Sequence, residues 1–170
     1  MSHHVADNEL FTEAMGEFAA RNFGRAIELL DRVLVDDPAH RLALTTRGSA
    51  FMNLADHRAA IADLTHAIEI DPESARAFHL RGLAHQGAEA VDDALADFDR
   101  AIALDPEYGA AYFSRANLHE MRGDLDAAGE DIAVVASLTR KNAEVFGNEN
   151  NVWQSDQIRV EGALETELDR

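Results

Sequence analysis

The sequence predicts an all-α protein built from repeated pairs of helices, and composition and spacing carry that prediction. Apolar residues make up 46% of the 170-residue chain, whereas aromatic residues account for only 6%. Its three prolines, Pro38, Pro72 and Pro106, are evenly spaced along the chain. Each one separates two apolar stretches with helical spacing. Helical stretches that end and begin again at a fixed interval indicate a repeat architecture.

Four further sets of apolar or small residues keep the same interval. They predict four units, about 7–40, 41–74, 75–108 and 109–140, the last with Arg140 at the proline position. The sets are Leu10, Leu44, Phe78 and Tyr112; Ala14, Gly48, Gly82 and Ala116; Ala26, Ala60, Ala94 and Ala128; and Leu30, Leu64, Phe98 and Ile132.

Each unit is predicted to contain two helices, as the third unit illustrates. Its first helix is expected over about 73–86, where Phe78 and Gly82 lie one helical turn apart on one face. The second helix is expected over about 91–104 and stops before Pro106. Proline cannot donate the next helical hydrogen bond, but it is accepted in the first turn of a new helix. Small residues in the first helix are expected to let the paired helices approach closely.

We call each set of residues that recurs at the repeat interval a column of the repeat. Together the columns resemble the tetratricopeptide repeat (TPR). That repeat is a helix-turn-helix with an aromatic or Leu, a Gly or Ala, an Ala, an aromatic and a Pro in this order. The spacing of the prolines matches the length of that repeat. The resemblance covers residues 7 to about 138. It departs from the family pattern at Leu10, where tryptophan is common, and at Glu17, where an aromatic residue is usual. It implies a right-handed α-solenoid of four units, with first helices on the concave surface and second helices on the convex one.

The two ends of the chain are predicted to differ from the repeats. Residues 1–6 are expected to be disordered, and residues 141–170 to form a C-terminal cap and an amphipathic helical extension, because the end of a solenoid needs covering. Trp153, Val160 and Leu164 recur there at helical spacing.

Charge and composition exclude several classes of function. The net charge of −17 argues against nucleic acid and against an anionic membrane surface. The chain has no cysteine, no visible secretory signal and no stretch long enough to span a membrane, so a cytoplasmic location is expected. Its basic residues are fourteen Arg and one Lys, which fits either a GC-rich genome or adaptation to high salt.

No catalytic or cofactor-binding motif is present, so an enzyme is not expected. The sequence lacks a phosphate-binding glycine loop and a G-x-S-x-G motif. His85 and His119 are one repeat apart, but their column usually holds a packing residue. Packed, hydrogen-bonded histidines are therefore favoured over a zinc site, and no metal or cofactor is predicted.

The concave face implied by the resemblance is predicted to bind a peptide. Phe11, Met15 and Phe18 form an apolar stripe there, and the groove is expected to become polar toward the C-terminal end. The predicted peptide-binding residues are Phe11, Met15, Phe18, Thr45, Ser49, Met52, Arg76, His79, Leu83, Gln86, Phe113 and Asn117.

Two functions remain open from the sequence. The carboxylate clamp of TPR co-chaperones is not supported, because Phe11 and Met15 occupy the places of its first Lys and Asn. An apolar or amphipathic segment of a partner protein suits this groove, which predicts a non-enzymatic adaptor or chaperone-like module. The alternative is a self-associating scaffold, in which the groove or the C-terminal helix mediates homo-oligomerisation.

Overall fold

The computed structural model describes the backbone of residues 2–141 and the side chains of residues 9–141. Over this range the chain forms eight helices and no strand, which confirms the predicted all-α class. The helices are α1 (Ser2–Ala19), α2 (Phe23–Asp36), α3 (Arg41–Asn53), α4 (His57–Ile70), α5 (Ala75–Gly87), α6 (Val91–Leu104), α7 (Gly109–Arg122) and α8 (125–141).

The helices pack as a solenoid of helix pairs. Each helix from α1 to α7 contacts the next one along the chain, and α1, α3, α5 and α7 also contact one another in that order. No such contact joins α2 to α4 or α4 to α6 within Ser2–Arg122. The first helices of the units therefore lie on the tighter, inner side of the array and form its concave face.

The core is a series of small clusters along the array. One lies around Leu29 and Leu30, the next around Leu64, and a third around Phe98 and Leu118, all of which are at most 1% exposed. Each large apolar side chain so buried contributes roughly 1.5–3 kcal/mol relative to exposure. Stability is thus distributed over neighbouring interfaces, as expected for a repeat protein.

Small residues in the first helices permit the close packing inside each unit. A methyl group added at Gly48 would lie 3.0 Å from Cγ of Leu64, and one added at Gly82 would lie 2.5 Å from Cε1 of Phe98. The facing residues belong to the apolar set of the second helices. The predicted close approach of the paired helices is therefore confirmed at these two positions.

The Asp-Pro pairs build the turns between units. In the turn after α4, Oδ1 of Asp71 accepts a hydrogen bond from the backbone N–H of Glu73 at 3.2 Å, and the Ser74 side chain accepts one from Ala77 at 3.3 Å. Because Ser74 caps the helix, α5 begins at Ala75 instead of the predicted residue 73. Pro72 consequently lies in the turn, not in the first turn of the new helix as expected. The same Asp-to-backbone bond recurs at Asp37 and Asp105.

The turns inside the units share a backbone feature that the sequence did not reveal. Arg21, Ala55, Glu89 and Gly123 occupy one column of the repeat, and all have a positive φ, of 64°, 59°, 60° and 82°. Glycine adopts this conformation without strain, yet it occurs in one of the four turns. The column was missed because its members share a backbone conformation without sharing a residue type.

Residues 2–6, which were predicted to be disordered, lie within α1, which begins at Ser2. The predicted C-terminal cap, including Trp153, Val160 and Leu164, lies outside the described residues, apart from Lys141 at the end of α8. None of the helices within residues 2–141 combines the length and the apolar character that a membrane span requires.

Candidate peptide-binding groove

A line of arginine–aspartate pairs joins the two helices of each of the last three units; we call it the seam. Every arginine donates two hydrogen bonds to one aspartate, at 2.6–2.9 Å, and the aspartates are 4–7% exposed. Such bidentate pairs are geometrically specific as well as strong. The pairs are Arg47 with Asp63, Arg81 with Asp97, and Arg115 with Asp131.

Each seam arginine also reaches back to the preceding unit. Arg47 contacts Asp31 at 2.6 Å and Arg115 contacts Asp99 at 2.5 Å. Arg81 instead donates to Oγ1 of Thr65 at 3.2 Å. Hydrogen bonds from the guanidiniums to the paired aspartates raise the pKa of all three arginines, although burial opposes the rise. The seam therefore fixes the first helices, which carry the groove, to the second helices of two units.

Sequence reasoning missed the seam, although a signal existed. Arginine recurs at the repeat interval in the first helices of the last three units, and an aspartate follows each of them at one constant spacing. Because arginine and aspartate are typical of solvated surface, neither column alone predicts a buried contact.

The twelve predicted groove residues all lie on first helices, on the concave side of the array. Their exposure differs widely, from His79 at 8% to Phe113 at 51%. Met15, Arg76 and Phe113 are exposed, His79 is buried, and Phe11, Phe18, Thr45, Ser49, Met52, Leu83, Gln86 and Asn117 are half-buried.

At the N-terminal end, much of the apolar stripe is already engaged by neighbouring side chains. The Phe11 ring packs against the His40 ring, with centroids 4.8 Å apart, and Phe18 packs edge-on against Phe23 at 5.5 Å. Met15 is 41% exposed, although its sulfur accepts a hydrogen bond from Thr46 at 3.6 Å. Met15 is thus the most open member of the stripe.

His79, in the middle of the groove, is buried and contributes little to the exposed surface. Its Nε2 lies 2.9 Å from the Ser114 hydroxyl and its Nδ1 lies 3.3 Å from the Tyr108 hydroxyl. Burial lowers the pKa of His79, and a hydrogen bond with the Ala110 backbone partly offsets that effect. The predicted contact of His79 with a ligand stays a prediction; in this structure Ser114 on α7 and Tyr108 in the turn before it contact the ring.

One exposed apolar residue of the groove was not selected in the sequence analysis. Leu42, on α3 in the second unit, is 54% exposed, and Phe113 on α7 is 51% exposed. Leu42 occupies the same column of the repeat as Arg76, one unit earlier, and that correspondence was the available signal. The predicted change from apolar to polar along the groove stays a prediction.

A small cleft opens between the beginnings of α3 and α5, and we call it the arginine cleft. It is lined by Arg41, Leu42, Thr45, Ser74 and Arg76. The Arg41 guanidinium forms an ion pair with Asp71. Arg76 is exposed and has no carboxylate partner among residues 9–141. Burial raises the pKa of Tyr108, and the nearby positive charge of Arg76 opposes that rise.

The groove holds no arrangement of side chains that indicates metal chemistry. Among residues 9–141, no group of three or more His, Asp or Glu side chains is placed to bind a metal ion. His85 lies 3.7 Å from Asp97, and His119 lies 4.0 Å from Asp124. Both histidines are thus half-buried beside single carboxylates.

Comparison with solved structures finds similar solenoids. A crystal structure of MamA is 25% identical with a TM-score of 0.76, covering 81% of this chain and 81% of that one. MamA from Desulfovibrio magneticus RS-1 is 24% identical with a TM-score of 0.75, covering 79% and 76%. The second TPR domain of human RPAP3, solved with the HSP70 peptide SGPTIEEVD, is 26% identical with a TM-score of 0.65, covering 68% and 96%.

Sequence comparison identifies the family. No match was found among curated proteins. The tetratricopeptide repeat family model matches residues 11–75 and 79–142, which together exceed half of the chain. The helix pairs, the evenly spaced columns and the solenoid packing agree with that match. The chain belongs to the tetratricopeptide repeat family, a family of protein-interaction modules.

Proposed function

We propose that this protein is a non-enzymatic adaptor or chaperone-like module of the cytoplasm, which binds a peptide or helix of a partner protein in its concave groove. The observation that carries the proposal is a line of exposed apolar side chains on the first helices. Met15, Leu42 and Phe113 are 41%, 54% and 51% exposed on α1, α3 and α7, and the seam joins α3 and α7 to second helices. Apolar side chains presented in this way suit an apolar or amphipathic ligand.

The solved structures support the class of ligand without identifying it. The RPAP3 domain described above has the same fold and was solved with a bound peptide. The first TPR domain of Spaghetti (RPAP3), bound to the HSP90 peptide SRMEEVD, is 20% identical with a TM-score of 0.66. In this chain, Phe11 and Met15 replace the first Lys and Asn of the carboxylate clamp. We therefore propose a ligand held chiefly by apolar contacts.

A pull-down with quantitative mass spectrometry tests this function. The full-length protein would be immobilised and exposed to an extract of its source cells, beside the variants Phe113→Asp and Val35→Asp. Phe113 lies in the groove, whereas Val35 is 78% exposed on α2 and serves as the matched control. We expect Phe113→Asp to reduce recovery of the specific partners by about tenfold, because a carboxylate replaces an apolar contact. Equal recovery with both variants would exclude the groove as the binding surface.

Self-association is the second candidate, and exposed apolar residues at the C-terminal end favour it. Met121, Leu125 and Ile132 on α7 and α8 are 73%, 68% and 44% exposed. Apolar surface at the end of a solenoid can continue the stack with a second copy. Light scattering of the full chain tests this candidate. If it is correct, Leu125→Glu lowers the measured mass to that of a monomer and Phe113→Asp does not. A monomeric mass for the unmodified chain would contradict it.

A further inference from the structure

A second cleft opens on the outer side of the array, between α2 and α4, and we call it the convex cleft. Its volume is about 360 Å³, and several of the residues that line it are exposed. Its apolar lining consists of Leu34, Val35, Pro38 and Leu44. The least exposed of these is Leu44 of α3, at 2%. The convex cleft is therefore a partly apolar depression on the face opposite the groove.

The corresponding place between α4 and α6 contains an aromatic ring. One unit later in the sequence, Leu44, Arg47 and His66 of the convex cleft become Phe78, Arg81 and Arg100. The guanidiniums of Arg81 and Arg100 lie 5.5 Å and 5.8 Å from the centre of the Phe78 ring. In the last unit, the guanidinium of Arg115 lies 5.6 Å from the centre of the Tyr112 ring. The convex cleft thus lies where leucine replaces an aromatic ring and histidine replaces a longer, cationic side chain.

Arg47 is placed to receive a ring from outside, as Arg81 receives that of Phe78. The edges of the Arg47 guanidinium donate hydrogen bonds to two carboxylates, and these bonds leave the faces of the planar group for ring contacts. Its guanidinium lies 6.0 Å from the ring of Phe51 and also lines the convex cleft. Arg81 combines both kinds of contact, because it donates to a carboxylate and lies over a ring. A guanidinium over an aromatic face is a favourable interaction.

The rim of the convex cleft is acidic. Asp31 lines the cleft, and its side chain is 56% exposed. Asp36 and Asp37 are exposed at the end of α2 and directly after it, next to lining residues in the sequence. Arg47 is already paired with two carboxylates. The rim therefore attracts a cationic group and repels an anionic one.

A segment of another protein suits the convex cleft better than a free small molecule or a second copy of this chain. Small-molecule sites usually bury about 70–90% of the ligand, whereas the mouth of this cleft is formed by exposed residues. A second copy would bring its own net charge of −17 to an acidic rim. A basic segment that inserts one side chain meets neither difficulty, and an aromatic side chain offers the largest apolar contact.

We propose that the convex cleft binds an aromatic side chain from a basic segment of a partner protein. The ring lies against Leu34, Pro38 and Leu44 and contacts the guanidinium of Arg47. A lysine or arginine beside the aromatic residue in the segment pairs with the rim carboxylates. The partner thus supplies the ring that Phe78 supplies in the next unit. Because this surface is separate from the concave groove, binding here does not depend on the proposed function.

Selection from a phage-displayed library of random peptides tests the proposal on the full-length protein. The main variant combines Leu44→Phe with His66→Arg, which copies the side chains of the next unit and fills the cleft from within. We expect the unmodified protein to select peptides with Phe, Tyr or Trp beside Lys or Arg, and the filled variant not to select them. Leu54→Phe, at a 53% exposed position after α3, is the matched control and should select the same peptides. Thermal unfolding of each variant checks that the fold is retained.

A second pair of variants tests the charge of the rim without changing the core. Asp36→Lys reverses an exposed carboxylate beside the cleft, and Glu130→Lys makes the same change at an exposed position of α8. A selected peptide, titrated by fluorescence anisotropy, should bind Asp36→Lys about fivefold more weakly than the unmodified protein. Its affinity for Glu130→Lys should change by less than about twofold, because distant charges are screened. Val35 also lines the cleft, so Val35→Asp is a control for groove binding only.

The peptide is varied in the same titration. Replacing its aromatic residue by alanine should weaken binding to the unmodified protein by about tenfold, as expected for an aromatic anchor. The same replacement should not weaken binding to the filled variant any further. If the filled variant does not fold, the peptide replacement and the comparison of Asp36→Lys with Glu130→Lys decide the question.

Several outcomes would overturn the convex cleft. Selected peptides without an aromatic residue, aromatic peptides that bind the filled variant unchanged, or equal affinities for Asp36→Lys and Glu130→Lys would each do so. Free indole that displaces the peptide at equal concentration would indicate a small-molecule site instead. A lower mass of the filled variant in light scattering, without peptide, would indicate an interface between copies. Peptides that lose binding to Phe113→Asp and not to the filled variant would support the groove and contradict the convex cleft.

Discussion

The seam and the groove lie on the same helices, yet they vary differently along the array. In the seam, Arg47, Arg81 and Arg115 repeat the same contact in three successive units. In the groove, one column of the repeat reads Phe11, Thr45, His79 and Phe113. The seam is repeated wherever a first helix packs on a preceding unit, because that packing is the same in each of the last three units. The positions that differ between units are free of that constraint, and we expect the specific ligand contacts there.

The largest effect should come from breaking the seam. Arg115→Met leaves the Asp131 carboxylate 4% exposed and without its cation. We expect the free energy of unfolding to fall by about 3 kcal/mol, because an uncompensated buried charge is costly. Urea denaturation measures the change. Arg122→Met is the control, since its partner Asp92 is 94% exposed, and it should change stability by less than about 0.5 kcal/mol. Equal losses in the two variants would show that the seam is no stronger than a surface ion pair.

The second largest loss of stability should come from disturbing the close packing of Gly82 against Phe98. In Gly82→Ala the new methyl group would lie 2.5 Å from Cε1 of Phe98. We expect a loss of about 2 kcal/mol, as is usual when a packed core receives extra atoms. Gly16→Ala is the matched control, because nothing lies within 4 Å of its added carbon. That variant should gain about 0.5–1 kcal/mol from helix propensity.

A compensating change tests the cause of that loss. Combining Gly82→Ala with Phe98→Leu reproduces the smaller partner that Gly48 meets in the second unit, where Leu64 stands. Denaturation of the double variant should show less destabilisation than the sum of the two single changes, because the methyl group then meets a smaller side chain. If the losses of the two single variants simply add in the double variant, the contact between positions 82 and 98 is not the cause of the destabilisation.

Repeated features marked by proline or glycine were predictable from the sequence, whereas the seam, which also repeats, and the features that vary between units were not. Pro72 and Gly82 marked the turn and the close approach correctly, since these residues have few alternative roles. The side-chain environment of His79 could not be read from its column. It depends on Ser114 and Tyr108, which lie about one unit further along the chain and differ from their counterparts in other units.

His79 belongs to a groove column of the repeat, yet its side chain is buried, and its titration should therefore affect stability. Burial lowers its pKa, so the unfolded chain takes up a proton first as the pH falls, and the folded state loses stability below the ordinary histidine value of about 6.5. As the pH falls from about 7.5 to about 5.5, this residue should therefore lower the free energy of unfolding. Denaturation across that range should show a shallower pH dependence for His79→Gln. His66→Gln, at an exposed position of α4, is the control for replacing a histidine by glutamine.

The smallest effect should come from completing the seam where it is irregular. Arg81 contacts Thr65 at the position where Arg47 and Arg115 contact an aspartate. Thr65→Asp restores the second carboxylate and should raise the free energy of unfolding by about 0.5 kcal/mol, since the new pair is partly exposed. Ala62→Asp, also on α4 and exposed, adds the same charge without replacing the group that Arg81 contacts, and should give a smaller gain. The gain should shrink in high salt, because screening weakens exposed pairs. If Thr65→Asp instead destabilises the protein at low salt, the repulsion among the acidic residues outweighs the pair, and the irregularity at Thr65 limits charge in the middle of the array.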